Sequence, residues 1–113
     1  MKTNKRILTK EEIIQRLNEC SEVLKKYGVR RIGLFGSYVR GEQDENSDID
    51  LVVEFNLDFF GPEFKGLYEA YIKISDYLED LFGKKVEILT PISIETIRIK
   101  GVAEEIKRSI IYV

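Results

Sequence analysis

FGSYVRGEQDENSDIDLVVEF, residues 35–55, contains a strand that is entered through two carboxylates. Side chains alternate across a strand, so Ile49, Leu51, Val53 and Phe55 share one face. Asp48, Asp50, Val52 and Glu54 share the other. The first set suits burial under helices. The second points into a cleft or into water. Asp48 and Asp50 lean the same way with their Cα atoms about 6.5–7 Å apart. Two carboxylates so close repel each other unless a cation sits between them. Mg²⁺ suits the place, because it takes oxygen ligands and is often held by one or two carboxylates plus substrate phosphates.

Upstream of that strand, Gly36-Ser37 falls where an earlier strand ends and a helical turn begins. Glycine permits close backbone approach. A helix start offers free N–H groups to phosphate oxygens. Ser37 adds a hydroxyl, and Arg40, one turn on, is within reach of the same phosphates. Downstream, Glu87 is a lone acid in KVEILT. If that strand pairs beside the aspartate strand, Glu87 faces the same side at about 4.8 Å. Two metal ions about 3.5–4 Å apart would then steady the attacking and leaving oxygens of a phosphoryl transfer. Each element alone is ordinary: a GS turn is a common loop, and a lone acid is a common surface residue. Their joint order and spacing carry the weight.

Working outward, Thr9 to Glu12 reads as a capping box, with apolar residues at helical spacing to Tyr27 and a stop at Gly28. This predicts a helix over about 10–27. Residues 30–35 read as a strand, 38–42 as one helical turn, 43–47 as a polar loop and 48–55 as the second strand. Pro62 suits the first turn of a helix. Phe64, Leu67, Tyr68, Tyr71, Ser75, Leu78, Leu81 and Phe82 mark one face of that helix over about 63–82. Residues 85–90 read as a third strand. A helix-like piece follows Pro91, and residues 110–113 add a last strand or an apolar tail. Alternation of strands and helices predicts an α/β (α+β) class. The expectation is one small domain over residues 1–113, with a short mixed sheet of three to four strands and helices packed on one face.

Bulk composition narrows the chemistry. A chain of 113 residues is the length of one domain, and 43% hydrophobic with 34% charged residues fits a globular protein. No apolar run approaches the roughly 20 residues of a membrane span. The first residues, MKTNKRILTKEE, lack a signal-peptide core, so a cytoplasmic location is expected. There is no histidine, which excludes a histidine base, a Ser-His-Asp triad and histidine metal ligands. Cys20 is the single cysteine, so there is no internal disulfide, and its place in a helical pattern marks it as packing. A net charge of −2 argues against direct nucleic-acid binding. Residues 1–40 carry ten Lys/Arg against four Asp/Glu, and the remainder eight against sixteen. The first segment thus offers either solvated helix faces or an electropositive patch. Phe59, Phe60 and Phe64, with residues 110–113, are read as small-domain core or as a docking surface.

Gly36-Ser37, ten intervening residues, then Asp48-Ile49-Asp50 resembles the signature of the DNA polymerase beta nucleotidyltransferase superfamily. The run GSYVRGEQDENSDIDLVV resembles its minimal nucleotidyltransferase (MNT) domains. The resemblance is specific over about residues 32–55 and looser beyond. It implies a polymerase-beta-type fold. It also implies that Gly36 and Ser37 hold a triphosphate, with Arg40 assisting. Asp48 and Asp50 would bind Mg²⁺, and Glu87 would stand at the third acidic position, where such domains usually carry Asp. Solo MNT domains of this size resemble antitoxins paired with a HEPN-domain toxin. The implied activity is transfer of AMP from ATP onto a tyrosine of that partner. Two alternatives stay open: a non-enzymatic antitoxin that acts by docking, and a transferase for small acceptors of the aminoglycoside type.

Overall fold

The computed structural model describes residues 7–63, 65–97 and 101–113. The chain opens with α1 (Lys10–Glu19) and α2 (Ser21–Lys26), followed by β1 (Val29–Phe35). Next come α3 (Ser37–Arg40), β2 (Ile49–Phe55) and α4 (Leu57–Phe60). The second half holds α5 (Leu67–Phe82), β3 (Val86–Leu89) and α6 (Pro91–Glu95). The chain closes with α7 (Val102–Ser109) and β4 (Ile111–Tyr112). The sheet runs β3-β2-β1-β4. β1 pairs antiparallel with β2 and with β4, and β2 pairs parallel with β3. This is the mixed α+β sheet expected, and within residues 110–113 Ile111–Tyr112 form an edge strand.

Thr9 caps α1 with both bonds of a capping box: Glu12 N donates to its Oγ1, and Thr9 N donates to Glu12 Oε1. The single helix expected over 10–27 divides at Cys20, whose φ/ψ of −101°/15° interrupts it. The bend keeps Leu17, Cys20 and Leu24 all buried against the sheet. The helix expected from 63 begins instead at Leu67, and Pro62 lies in the turn before it. Gly66, at φ 83°, holds the left-handed conformation that ends the turn and caps α5, so no helix runs through it. The buried stripe of α5 is Ala70, Ile74, Leu78 and Phe82, a row of i+4 steps. Of the expected face, Leu78 and Phe82 are buried and Tyr71 and Leu81 pack against the core, but Tyr68 is 78% exposed and Ser75 is not buried, so the face is borne out only in part. The aromatic residues at the start of α5 drew that reading away from the aliphatic row that meets the sheet. Phe64 lies outside the described residues.

Ile49, Leu51 and Val53 of β2 are fully buried with Ile13, Leu17, Leu34, Ile74 and Leu78 in the main core. A smaller cluster of Phe35, Val52 and Ile94 occupies the opposite face, beside the half-buried Leu89, Ala103, Ile106 and Ile110. The principal helices therefore pack on one face, as expected, and α6 and α7 cover part of the other. Phe60 packs edge-to-face with Phe55 and Phe59, at 6.0 and 5.1 Å between ring centres. Phe60 thus belongs to the packed interior margin, while Phe59 is largely exposed.

Candidate active site

β2 lies between β1 and β3, and Asp50 has a neighbour on each side: Phe35 on β1 and Glu87 on β3. The in-register pairing of Asp50 with Glu87 is the adjacency expected from a single lone acid. Gly36 follows Phe35 directly. Its φ/ψ of 84°/−151° lies in a region that is essentially glycine-only. A Cβ there would collide with Asp50 Oδ2. Glycine is therefore required twice, by conformation and by the carboxylate laid against its backbone. α3 then starts at Ser37, and the first N–H groups of a helix have no partner within it.

A cleft of about 280 Å³ opens at this point. Phe35, Gly36, Arg40, Asp50, Glu87 and Leu89 line it from the sheet side, and Val102, Glu105, Ile106 and Ser109 of α7 line the far wall. Four of the six expected site residues thus meet in one cavity. Ser37 and Asp48 do not line it. Asp48 stands just before β2, close enough for its charge to act on Asp50. The α7 wall was missed, and its sequence signal was faint: Glu105 and Ser109 lie one helical turn apart on a short amphipathic helix.

Charge is concentrated here. Burial pushes Asp50 up to about 6, helped by the charges of Glu87 and then Asp48, and opposed by Arg40. The carboxylates of Asp48, Asp50 and Glu87 form no hydrogen bond or ion pair with any described residue. Such a set of oxygen donors, mutually repelling and without partners among the described residues, fits a hard divalent cation. Among the described residues no three acidic groups converge tightly enough to enclose an ion by themselves. The fit is to Mg²⁺ held by one or two carboxylates together with phosphate oxygens. Among the described residues Arg40 is the one basic residue lining the cleft, and its Nε donates to Glu42 Oε1 at 2.8 Å. That bond, with Glu105 and Asp50 beyond it, holds the guanidinium firmly protonated. Arg30 and Arg31 meet Glu54 at 3.7 and 3.0 Å, so these cations of the basic first segment are paired on the strand surface.

No described helix is long and apolar enough to cross a membrane. A protein named "Protein adenylyltransferase MntA" from Thermococcus cleftensis is 38% identical over 95% of this chain and 98% of its own length. A solved structure described as "putative minimal nucleotidyltransferase" superposes with a TM-score of 0.65 at 27% identity, over 92% of this chain and 95% of the other. A toxin-antitoxin crystallised with AMP-PNP shares the fold at a TM-score of 0.56 and 20% identity, over 84% of this chain and 69% of that one. The model of the nucleotidyltransferase domain matches residues 17–113. The element order, the glycine-carboxylate contact and these matches agree: the chain belongs to the nucleotidyltransferase domain family, in its minimal form.

Proposed function

We propose that this enzyme moves a nucleoside monophosphate, AMP from ATP, onto a hydroxyl of a partner protein. The partner is a HEPN-domain toxin, the acceptor is a tyrosine, and the chain acts as its antitoxin. The observation that carries the chemistry is the cleft in which the Gly36 backbone abuts Asp50, with Glu87 in register beside it and Arg40 on the rim. The protein acceptor is supported by the relative named a protein adenylyltransferase, which matches across nearly its whole length. A toxin partner is supported by the fold neighbour solved as a toxin-antitoxin.

In this reading Gly36 and Ser37 receive the triphosphate, and Arg40 exchanges Glu42 for a phosphate oxygen. Asp48, Asp50 and Glu87 would hold Mg²⁺, in one or two ions. The metal would supply Lewis-acid polarisation of the phosphate and charge neutralisation for the leaving group. The acceptor oxygen attacks the α-phosphorus, the bond to the β-phosphate oxygen breaks and pyrophosphate leaves. The phenol proton passes to a carboxylate of the cleft. Positioning and electrostatics supply most of the acceleration. The open cleft leaves the acceptor to be brought by the partner.

A second reading has a specific observation in its favour. Glu87 is exposed at the third acidic position, and among the described residues no three acids enclose an ion. A docking antitoxin with a disused site would look like this. Transfer of label from α-³²P-ATP with Mg²⁺ onto the toxin decides between them, with Asp48→Ala and Glu87→Gln as controls. Label with wild type alone supports the enzyme. Tight binding to the toxin without label, under any nucleotide, leaves the docking reading.

A further inference from the structure

Phe59 is 57% exposed, yet its ring is held in place. It packs edge-to-face on Phe60, at 5.1 Å between ring centres. Both rings lie against the backbone of Gly28, where a Cβ would meet Phe60 Cζ at 2.6 Å and Phe59 Cδ1 at 3.0 Å. Gly28 O also accepts from Asn56 N at 2.7 Å, which ties the start of α4 to the seat of its rings. An exposed ring already fixed in this way loses little freedom when a partner covers it.

The two rings, with Tyr27, Lys26, Lys65 and Lys73, line another cavity of about 280 Å³. Among the described residues Glu69 is the one acid of its lining. Lys26 and Lys73 form no ion pair with any described residue. Lys65 reaches Glu63 at 3.4 Å, in an exposed pair of the kind that contributes little and exchanges easily. The socket is therefore positive in a chain whose net charge is −2. Most of its lining residues are exposed, whereas a small-molecule pocket encloses most of its ligand. Such a shallow socket suits side chains presented by another protein. It also stands apart from the cleft. Asp50 is the second residue of β2 and Phe55 the last, and Phe60 packs on Phe55 at 6.0 Å between ring centres. Five residues of extended chain separate the two places by about 16–17 Å along the sheet. A partner held at the socket leaves the cleft open.

We propose that this socket docks an acidic segment of the protein that brings the acceptor hydroxyl. An apolar side chain of that segment covers Phe59, and its carboxylates meet Lys26, Lys65 and Lys73. This rests on the partner protein proposed above. A nucleic-acid backbone fits less well, because Glu69 lines the cavity and Asp76 and Asp80 stand exposed further along α5. Fixed aromatic anchors ringed by complementary charge are the usual pattern of a docking site.

The test measures binding of the purified toxin by calorimetry, without nucleotide, at low and at high salt. Phe59→Ala should weaken binding about tenfold or more at both. Lys26→Glu with Lys73→Glu should weaken it about tenfold or more at low salt and much less at high salt. Both lysines are exposed, so that variant should melt as wild type does. With ATP and saturating toxin, its label transfer should keep the wild-type kcat, the loss falling on the KM for toxin. An affinity within about twofold of wild type at low salt in either variant overturns the proposal. So does a loss in the lysine variant that is equal at both salts. If the variants keep toxin binding but lose oligonucleotide binding or self-association, the socket belongs to nucleic acid or to a second copy, and the proposal falls. Wild type that does not bind the toxin overturns the partner reading and the socket's role with it. Binding that the variants lose, in a protein that transfers no label, upholds the socket while the enzymatic reading fails.

Discussion

The two faces of the sheet are built unequally, and β2 shows why. Its odd-numbered residues Ile49, Leu51 and Val53 are fully buried beneath α1, α2 and α5. Its even-numbered residues divide: Val52 is buried, while Asp50 and Glu54 stay half-buried and polar. The helix over that second face, α7, has no fully buried residue. One face thus supplies most of the packing that stabilises the domain, and the other keeps space and charge for a ligand. Regions with few buried contacts open most readily, so the ligand face is also the less stable one.

Two substitutions should break the faces separately. Leu51→Ala removes a fully buried side chain of the main core and should cost about 2–5 kcal/mol in urea unfolding. Transfer per folded molecule should hardly change, since Leu51 does not line the cleft. Gly36→Ala should fall mainly on transfer, with a stability loss beside it. Its Cβ strikes the Asp50 carboxylate in a conformation that costs a non-glycine residue of the order of 1–3 kcal/mol. Displacing that carboxylate by about 1 Å should lower transfer about 10²-fold. If label transfer by Gly36→Ala stays near wild type, the glycine-carboxylate contact is not part of the site.

Asp50 sharpens the contrast through pH. Its folded pKa of about 6 lies above the ordinary 3.8, from burial first and then from Glu87 and Asp48. The folded protein therefore binds this proton more tightly than the unfolded chain. That contribution to stability is full below the ordinary value and is lost as pH rises through about 6. Above it, the ionised group burdens the fold. Asp50→Asn should then raise stability by about 1–2 kcal/mol at pH 8, after allowance for partial exposure, and change it little at pH 3.5. Chemical denaturation at the two pH values checks this. A variant less stable than wild type at pH 8 would mean that Asp50 supports the fold.

Part of the candidate cleft was legible, on its sheet side, because its residues are close in sequence or share a strand. Gly36, Ser37, Asp48 and Asp50 fall within fifteen residues, and period-two alternation fixes the side that Asp50 takes on its strand, although Ser37 and Asp48 do not line the cleft. Glu87 was placed by one assumption, that its strand lies beside β2, and the register bears out that adjacency. What could not be read is long-range. The pattern of α7 shows that it has an apolar side, not which strand receives it, so Val102, Glu105, Ile106 and Ser109 went unassigned. Local breaks were lost for a different reason. Cys20 continues the apolar spacing while its backbone leaves the helix, and the residues after Pro62 look helical until Gly66 enforces a turn.

The smallest effect should come from the α7 wall, and it tests the comparison most closely. Ile106 belongs to both the minor cluster and the cleft lining. It is only half-buried, so Ile106→Ala should cost about 1 kcal/mol, well under the loss for a fully buried residue. Ile74→Ala, on α5 in the main core, supplies the control and should cost about 2–5 kcal/mol. The loss at Ile106 should fall mainly on the KM for nucleotide, because the wall shapes the cleft without supplying a reacting group. If Ile106→Ala destabilises the fold as much as Ile74→Ala, α7 is integral to the domain and the two faces carry equal weight. If it spares both stability and KM, α7 stands beside the cleft without forming it. Only a small stability loss joined to a raised KM fits a wall that is lightly held because its task is to meet a ligand.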